Sequence, residues 1–307
     1  MKLGTPQVTF ESSIFRNLQK RRAKPLHNTR SMFIRFYKPR PILAGCIKGY
    51  QIVHVQTPAI NHLPVLPFPP HAAQQFIIYA RDRATRLHYR NRQHSTQPNC
   101  IVVGPQVSRV DITAGRDMLT VATFFEPGGL HRLLGIPMYE LFDDSLDISL
   151  VWNKEIRELE QRLRDTCDYD EMHEIVEAFL LSRLNLTQVE KHPIDSVFKF
   201  LQDTTQPLSL DKLADLACLS PRQFERKCHE RLGLGPKVFN RIVRFSKAYR
   251  LKENRPDLSW LDVAIHCGYY DVQHLRRDFK EFAASTPTSV MRQQTRSDLR
   301  GYSSHDF

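Results

Sequence analysis

The stretch Leu258–Pro287, LSWLDVAIHCGYYDVQHLRRDFKEFAASTP, mixes two histidines, a cysteine, paired tyrosines and a cluster of charge. Read alone, it fits a metal site, a plain amphipathic helix or a DNA-reading unit. A second stretch, Leu208–Pro236, LSLDKLADLACLSPRQFERKCHERLGLGP, bears on the choice. Leu208-Ser209 and Leu213-Ala214 match Leu258-Ser259 and Val263-Ala264 at an offset of 50. One extra residue enters the turn, and then Phe224, Arg226 and Pro236 match Leu275, Arg277 and Pro287 at an offset of 51.

Each copy reads as helix, tight turn, helix. Ser209 and Ser259 are N-cap residues, whose hydroxyl accepts from the free N–H groups of a first turn. Ser220 followed by Pro221 is an N-cap with proline at N1, and Asp271 takes the cap role in the second copy. Ala214 and Ala264 are small enough for close helix crossing. Gly268 gives the second turn its backbone freedom. Cys218 stands at that place in the first copy, so the first turn is expected to use another geometry.

The second helix of each copy is amphipathic. Phe224, Cys228 and Leu232 define one buried face, and Leu275, Phe279 and Phe282 the other. The opposite faces carry Arg222, Gln223, Glu225, Arg226 and Lys227, then Gln273, Arg276, Arg277 and Lys280. Arginine can fork onto guanine, glutamine can read adenine, and lysine pairs with phosphate. One such face is ordinarily just solvated; two in repeated frames favour DNA. Between them, residues 237–254 read as a helix with an apolar stripe at Val238, Ile242, Phe245 and Tyr249 and with six Lys/Arg, Lys247 among them as a phosphate contact. A helix of about 17 residues spans roughly 25 Å, a rigid spacer for two heads on successive major grooves.

The remainder divides by charge and pattern. The whole chain of 307 residues carries a formal charge of +11, which favours an anionic partner. Residues 1–120 have a net charge of +14, residues 121–192 of −8 and residues 193–307 of +5. Residues 1–30 read as a loose basic tail. Six short β-type runs over 31–125, MFIRFY, YQIVHV, QQFIIYA, RLHY, CIVVGP and MLTVATFF, separated by Pro and Gly, predict an all-β sandwich or barrel. Ile156, Leu159 and Leu163 put one helical face in 152–184. The six cysteines show no CxxC pair and are read as reduced. No apolar run approaches the roughly 20 residues of a membrane span, so a cytoplasmic protein with no membrane partner is expected.

The paired units, LADLACLSPRQFERKCHERLGLGP and VAIHCGYYDVQHLRRDFKEF with its following TP, resemble the AraC/XylS family of bacterial transcription regulators. The Gly-aromatic turn and Arg277-Asp278-Phe279 carry that likeness in the second unit; Cys228, Tyr270, Val272 and Ala284 depart from it. The resemblance implies an α+β protein. Its N-terminal part would be a cupin-like β-barrel with helices, and its C-terminal part an all-α domain of two helix-turn-helix units joined by a linker helix. It implies a sensing and dimerising region over 31–186, ending in helices at 152–184, then a linker at 187–193. The DNA-binding domain would occupy 194–293, with units at 208–232 and 258–283 around the helix 237–254, and a tail at 294–307. FFEPGGLHRLLGIPMYELFDDSLDI, 124–148, is similar to a segment of one subgroup of such regulators.

By the same resemblance, base-reading places fall on Arg222, Glu225 and Arg226, and on Val272, Gln273, Arg276 and Arg277. The implied partners are double-stranded promoter DNA, RNA polymerase, a small-molecule effector and a second copy bound through 152–184. No cofactor is expected. The opposing class is a cupin-type metal enzyme. Such a site needs three or four ligands in open geometry, and the sequence has no HxH pair among its 13 histidines. A DNA-repair methyltransferase would need a reactive-cysteine motif, which none of the six cysteines shows. Arg81, Arg83, Arg86 and Arg90 could attract an acidic effector, be solvated or form a second DNA-facing patch, and the proline-rich PVLPFPPH, 64–71, could close an apolar pocket or simply pack.

Overall fold

The computed structural model describes residues 31–57, 63, 65–89, 92–187, 192–204 and 208–296. The basic tail, Arg90, most of the 187–193 stretch and most of the C-terminal tail lie outside them.

The N-terminal half is built from two antiparallel sheets. One has six strands in the order β1 (Ser31–Tyr37), β2 (Ile47–Gln56), β9 (Asp117–Phe125), β4 (Gln75–Tyr79), β7 (Cys100–Val103) and β10 (Ser145–Asp147). The other has four, in the order β3 (Val65–Phe68), β8 (Val110–Thr113), β5 (Thr85–His88) and β6 (Gln93–Thr96). The expected closed barrel is therefore corrected to two open sheets. The end strands β1 and β10 do not pair, nor do β3 and β6.

The physical reason for the open arrangement lies in how the large sheet is covered. Successive strand residues face opposite sides. Ile52, Phe76, Val102 and Leu119 go with a core that includes helices, whereas Val53, Tyr79, Val103 and Met118 go with a separate β core. Both faces are buried without the sheet curling shut. The helical cover is α2 (Asn153–Asp165) and α3 (Tyr169–Leu186), which follow the short α1 (Gly129–Leu134). Ile156, Leu159 and Leu163, the stripe seen in the sequence, are 0–2% exposed and pack inside their own chain.

The six β-type runs of the sequence are strands. Four further strands, β3, β6, β8 and β10, carry weaker signals. β3 contains Pro67, which gives no ladder hydrogen; as an edge strand it can accommodate one. β6, QHST, is exposed throughout and shows no alternation.

The C-terminal half is helical: α4 (Pro193–Gln202), α5 (Leu210–Leu216), α6 (Pro221–Leu232), α7 (Pro236–Asn254), α8 (Trp260–His266), α9 (Val272–Phe282) and α10 (Pro287–Arg296). Phe245 of α7 sits at its centre, 4.8 Å from Phe279 and 5.5 Å from Phe282 between ring centroids. Phe198 and Phe224 are fully buried in the same core. The two halves touch directly. Gln74 donates to the Leu232 carbonyl, Ser246 to the Pro70 carbonyl, and Arg109 to Gln293.

Candidate nucleic-acid interface

Two helix-turn-helix heads stand on the C-terminal core, α5–α6 and α8–α9. Their caps are the ones the sequence names. Ser209 accepts from Lys212 N–H, and Ser259 from Asp262 N–H. Ser220 accepts from Gln223 N–H, and Asp271 from His274 N–H. The turns are also the same. Leu219 N–H donates to the Ala214 carbonyl at 3.0 Å, and Tyr269 N–H to the Ala264 carbonyl at 2.9 Å. This repeats one bond at the offset of 50. Cys218 has φ 54° and Gly268 φ 77°. The expectation of a different first turn is corrected: Cys218 adopts the left-handed backbone that glycine supplies in the second head.

The linker helix α7 has 19 residues, about 28 Å at 1.5 Å per residue. It is a core element more than a basic spacer. Phe239, not Val238, joins Ile242, Phe245 and Tyr249 in the buried stripe; Val238 is 36% exposed. Several of its cations are spent inside the protein. Arg241 pairs with Asp278 and Glu281 of α9, and Asp278 also accepts from the Tyr269 hydroxyl. Arg244 donates to the Gly268 carbonyl and lies over the Tyr269 ring. Lys247 donates to the Gln202 carbonyl at 2.6 Å. Its expected phosphate contact is thereby corrected, because the ammonium is turned inward.

The nine sequence-selected residues fall into two groups. Arg222, Glu225, Arg226, Gln273, Arg276 and Arg277 are exposed. Among the described residues, none of these six side chains has a hydrogen-bond or ion-pair partner. The other three are engaged. Gln223 Oε1 accepts from Ser220 N–H at 2.9 Å and closes a capping box. Lys227 Nζ lies 2.9 Å from both carboxylate oxygens of Glu230. Val272 is half-buried against the helical core.

Each reading helix is held by an ion pair whose carboxylate is buried. Arg231 of α6 forks onto Asp195 of α4 at 2.6 and 2.7 Å. Asp278 of α9 is held by Arg241 and Tyr269. The first head also abuts the N-terminal half. Gly233, just past α6 with φ 76°, leaves no room for a Cβ, which would lie 2.6 Å from Pro105 Cγ and 2.7 Å from the Met138 carbonyl oxygen. Glycine is needed there both for the left-handed backbone and for the close approach.

The structure also assembles a cleft, and Phe68, Pro69, Pro70 and His71 of the proline-rich stretch 64–71 line it. It measures about 310 Å³ and lies between the halves. Phe68, Phe124 and Val243 supply apolar wall, and Lys48, Lys247 and Arg250 bring positive charge. Burial holds the Lys48 and Lys247 ammonium groups below their usual pKa, and each is further lowered by Arg250. His71 lines the same cleft, and burial pushes its imidazole down to about 4. Lys48 stands some 200 positions from Lys247 and Arg250, so no local pattern brings these cations together.

The histidines of the β region have separate partners. His54 lies between Tyr169 and Asp117, and His88 faces Ser108 and Asp143. No group of three or more His, Cys, Asp or Glu suited to a metal ion occurs among the described residues.

Comparison with known proteins agrees with the C-terminal reading. Residues 213–293 match the family model of a helix-turn-helix domain, and residues 35–147 match that of a domain of unknown function, DUF6597. No curated protein matches the chain. Among solved structures, ToxT from Vibrio cholerae is 11% identical, covering 85% of this chain and 98% of its own, with a TM-score of 0.44; ToxT has also been solved with an unsaturated fatty acid bound. The DNA-binding domain of AdpA, solved with target DNA, is 27% identical over 34% of this chain and 93% of its own, with a TM-score of 0.32. An AraC-type regulator from Chromobacterium violaceum is 22% identical over 33% and 90%, with a TM-score of 0.31.

The chain thus carries a helix-turn-helix domain over residues 213–293.

Proposed function

We propose that α6 and α9 enter successive major grooves of promoter DNA, and that the cleft between the halves takes an effector. The carrying observation is the pair of exposed, unpartnered polar faces, Arg222-Glu225-Arg226 and Gln273-Arg276-Arg277, at matching places on two heads capped at the same position. Free donors and acceptors on a rigid helix suit base edges. Arg226 and Arg277 lie at the same register, where a guanidinium serves either phosphate or guanine.

The test is binding of the full chain to promoter-region duplexes at several salt concentrations. Affinity is expected to fall steeply with salt, through release of counterions from the phosphates. Absence of any salt-dependent binding would overturn this reading.

The effector that suits the cleft is an amphipathic anion, an apolar body with a carboxylate. Lys48 is half-buried and makes no close ion pair among the described residues, with Glu126 acting on it only at longer range, so an anion would relieve its cost of burial further. Decanoate is expected to raise the melting temperature of the protein. The gain should vanish in Lys48→Ala and be absent with decanol. RNA polymerase is the further partner of a promoter-bound regulator. A dimer through 152–184 would have to use the exposed faces of α2 and α3, since their apolar faces are covered. Sedimentation of the full chain at micromolar concentration distinguishes monomer from dimer.

A further inference from the structure

The internal repeat allows the two reading faces to be compared position by position. At the offset of 51, Arg222 falls on Gln273, Glu225 on Arg276 and Arg226 on Arg277. The spacing i, i+3, i+4 keeps each trio on one helical face. Both helices are capped at the same position, with Ser220 and Asp271 each accepting from the N–H three residues on. The trios are therefore presented by the same backbone frame. One position is common to both, and two differ.

The differences have distinct chemical meanings. Glu225 puts a carboxylate into a face otherwise made of arginine. Near phosphates that carboxylate weakens binding to DNA in general. It is exposed, and among the described residues it makes no ion pair with Arg222 or Arg226 that would account for it within the helix. A carboxylate only accepts. In the major groove, guanine offers two acceptors and thymine one acceptor, while adenine sets its N6 donor beside the N7 acceptor. Cytosine offers the N4 donor alone. Gln273, which can both donate and accept, suits adenine through N6 and N7. Arg222 and Arg276 suit guanine.

We infer that Glu225 and Gln273 make the two heads read different base pairs, Glu225 selecting cytosine in the first half-site and Gln273 selecting adenine in the second. This rests on the DNA reading proposed above and adds the identity of the bases. The binding site is then a pair of unequal half-sites that fixes the direction in which the protein sits. The first half-site combines guanine with cytosine in neighbouring pairs, since one helical turn of 5.4 Å spans fewer than two base steps of 3.4 Å. The second combines adenine with guanine.

The test is selection of bound duplexes from a random-sequence pool by the full-length protein, repeated with Glu225→Gln and Gln273→Glu. Both substitutions keep size and helix propensity, and unchanged melting temperatures confirm an intact fold. Glu225→Gln is expected to turn one cytosine preference of the first half-site into adenine, by about tenfold or more, and to leave the second unchanged. Gln273→Glu is expected to do the converse in the second half-site alone. Variants that bind DNA with the wild-type preference, or that alter both half-sites together, overturn the base assignment and leave the DNA reading standing. Failure of the wild-type protein to retain any duplex overturns the DNA reading itself.

Discussion

Cys218 and Gly268 hold the same place in the two heads and share a left-handed backbone, φ 54° and 77°. The pairing recurs with the roles exchanged past the reading helices, where Gly233 has φ 76° and Ala284 φ 51°. A residue with a Cβ costs about 1–2 kcal/mol in that region. Cys218→Gly and Ala284→Gly are therefore each expected to stabilise the protein by about 1 kcal/mol, after the looser unfolded chain is allowed for. Denaturant unfolding of the two variants checks this.

Gly233→Ala should act in the opposite direction. It combines the backbone cost with a clash against Pro105 and the Met138 carbonyl. A loss of about 2 kcal/mol or more is expected, seen as a lower melting temperature.

Arg231 and Asp195 are only 4% and 8% exposed at their side chains. Removing one partner strands a buried charge, so Asp195→Ala is expected to cost about 3–5 kcal/mol. The double variant Asp195→Ala with Arg231→Met should recover much of that loss. A double-mutant cycle by denaturant unfolding measures the coupling.

His71 gives stability an acid limb. Its imidazole titrates near 4 in the folded protein because burial penalises the charged form, against about 6.5 when unfolded. The unfolded chain therefore binds more protons between those values, and stability rises with pH across that window. The full difference, about 3 kcal/mol, is present above about pH 7 and is lost as the pH falls to about 4. His71→Gln should flatten this part of the stability–pH profile.

Arg222→Ala and Gln273→Ala are each expected to lose about 1–3 kcal/mol of discrimination at a preferred site, read as the ratio of affinities for that site and a scrambled one. Lys247→Ala should leave the salt slope of DNA binding unchanged, because its ammonium bonds Gln202 rather than facing outward.

Much of the C-terminal half was legible from the sequence because its signals are local. A serine before a helix, a proline at N1 and an apolar residue each turn act over a few positions, and all four caps formed as read. The six alternating runs of the β region were equally clear. The strands β3 and β6 were not, since one contains a proline and the other has no buried face. Within the reading faces, the sequence offered nine residues, and the structure leaves six of them unengaged. Gln223 and Lys227 differ from their neighbours only in what stands within hydrogen-bond reach.

By itself the sequence determined the two capped heads, their repeat and the polar faces they present, because short-range sterics and hydrogen bonding decide these. Tertiary structure alone decided three other things. It left the sheets open, since helices cover the far face of the larger one. It turned Lys247 and Arg241 inward, because carbonyls and carboxylates of other elements meet them there. It also gathered Lys48, His71, Lys247 and Arg250 around one cleft, a meeting of distant segments that depends on how the halves pack.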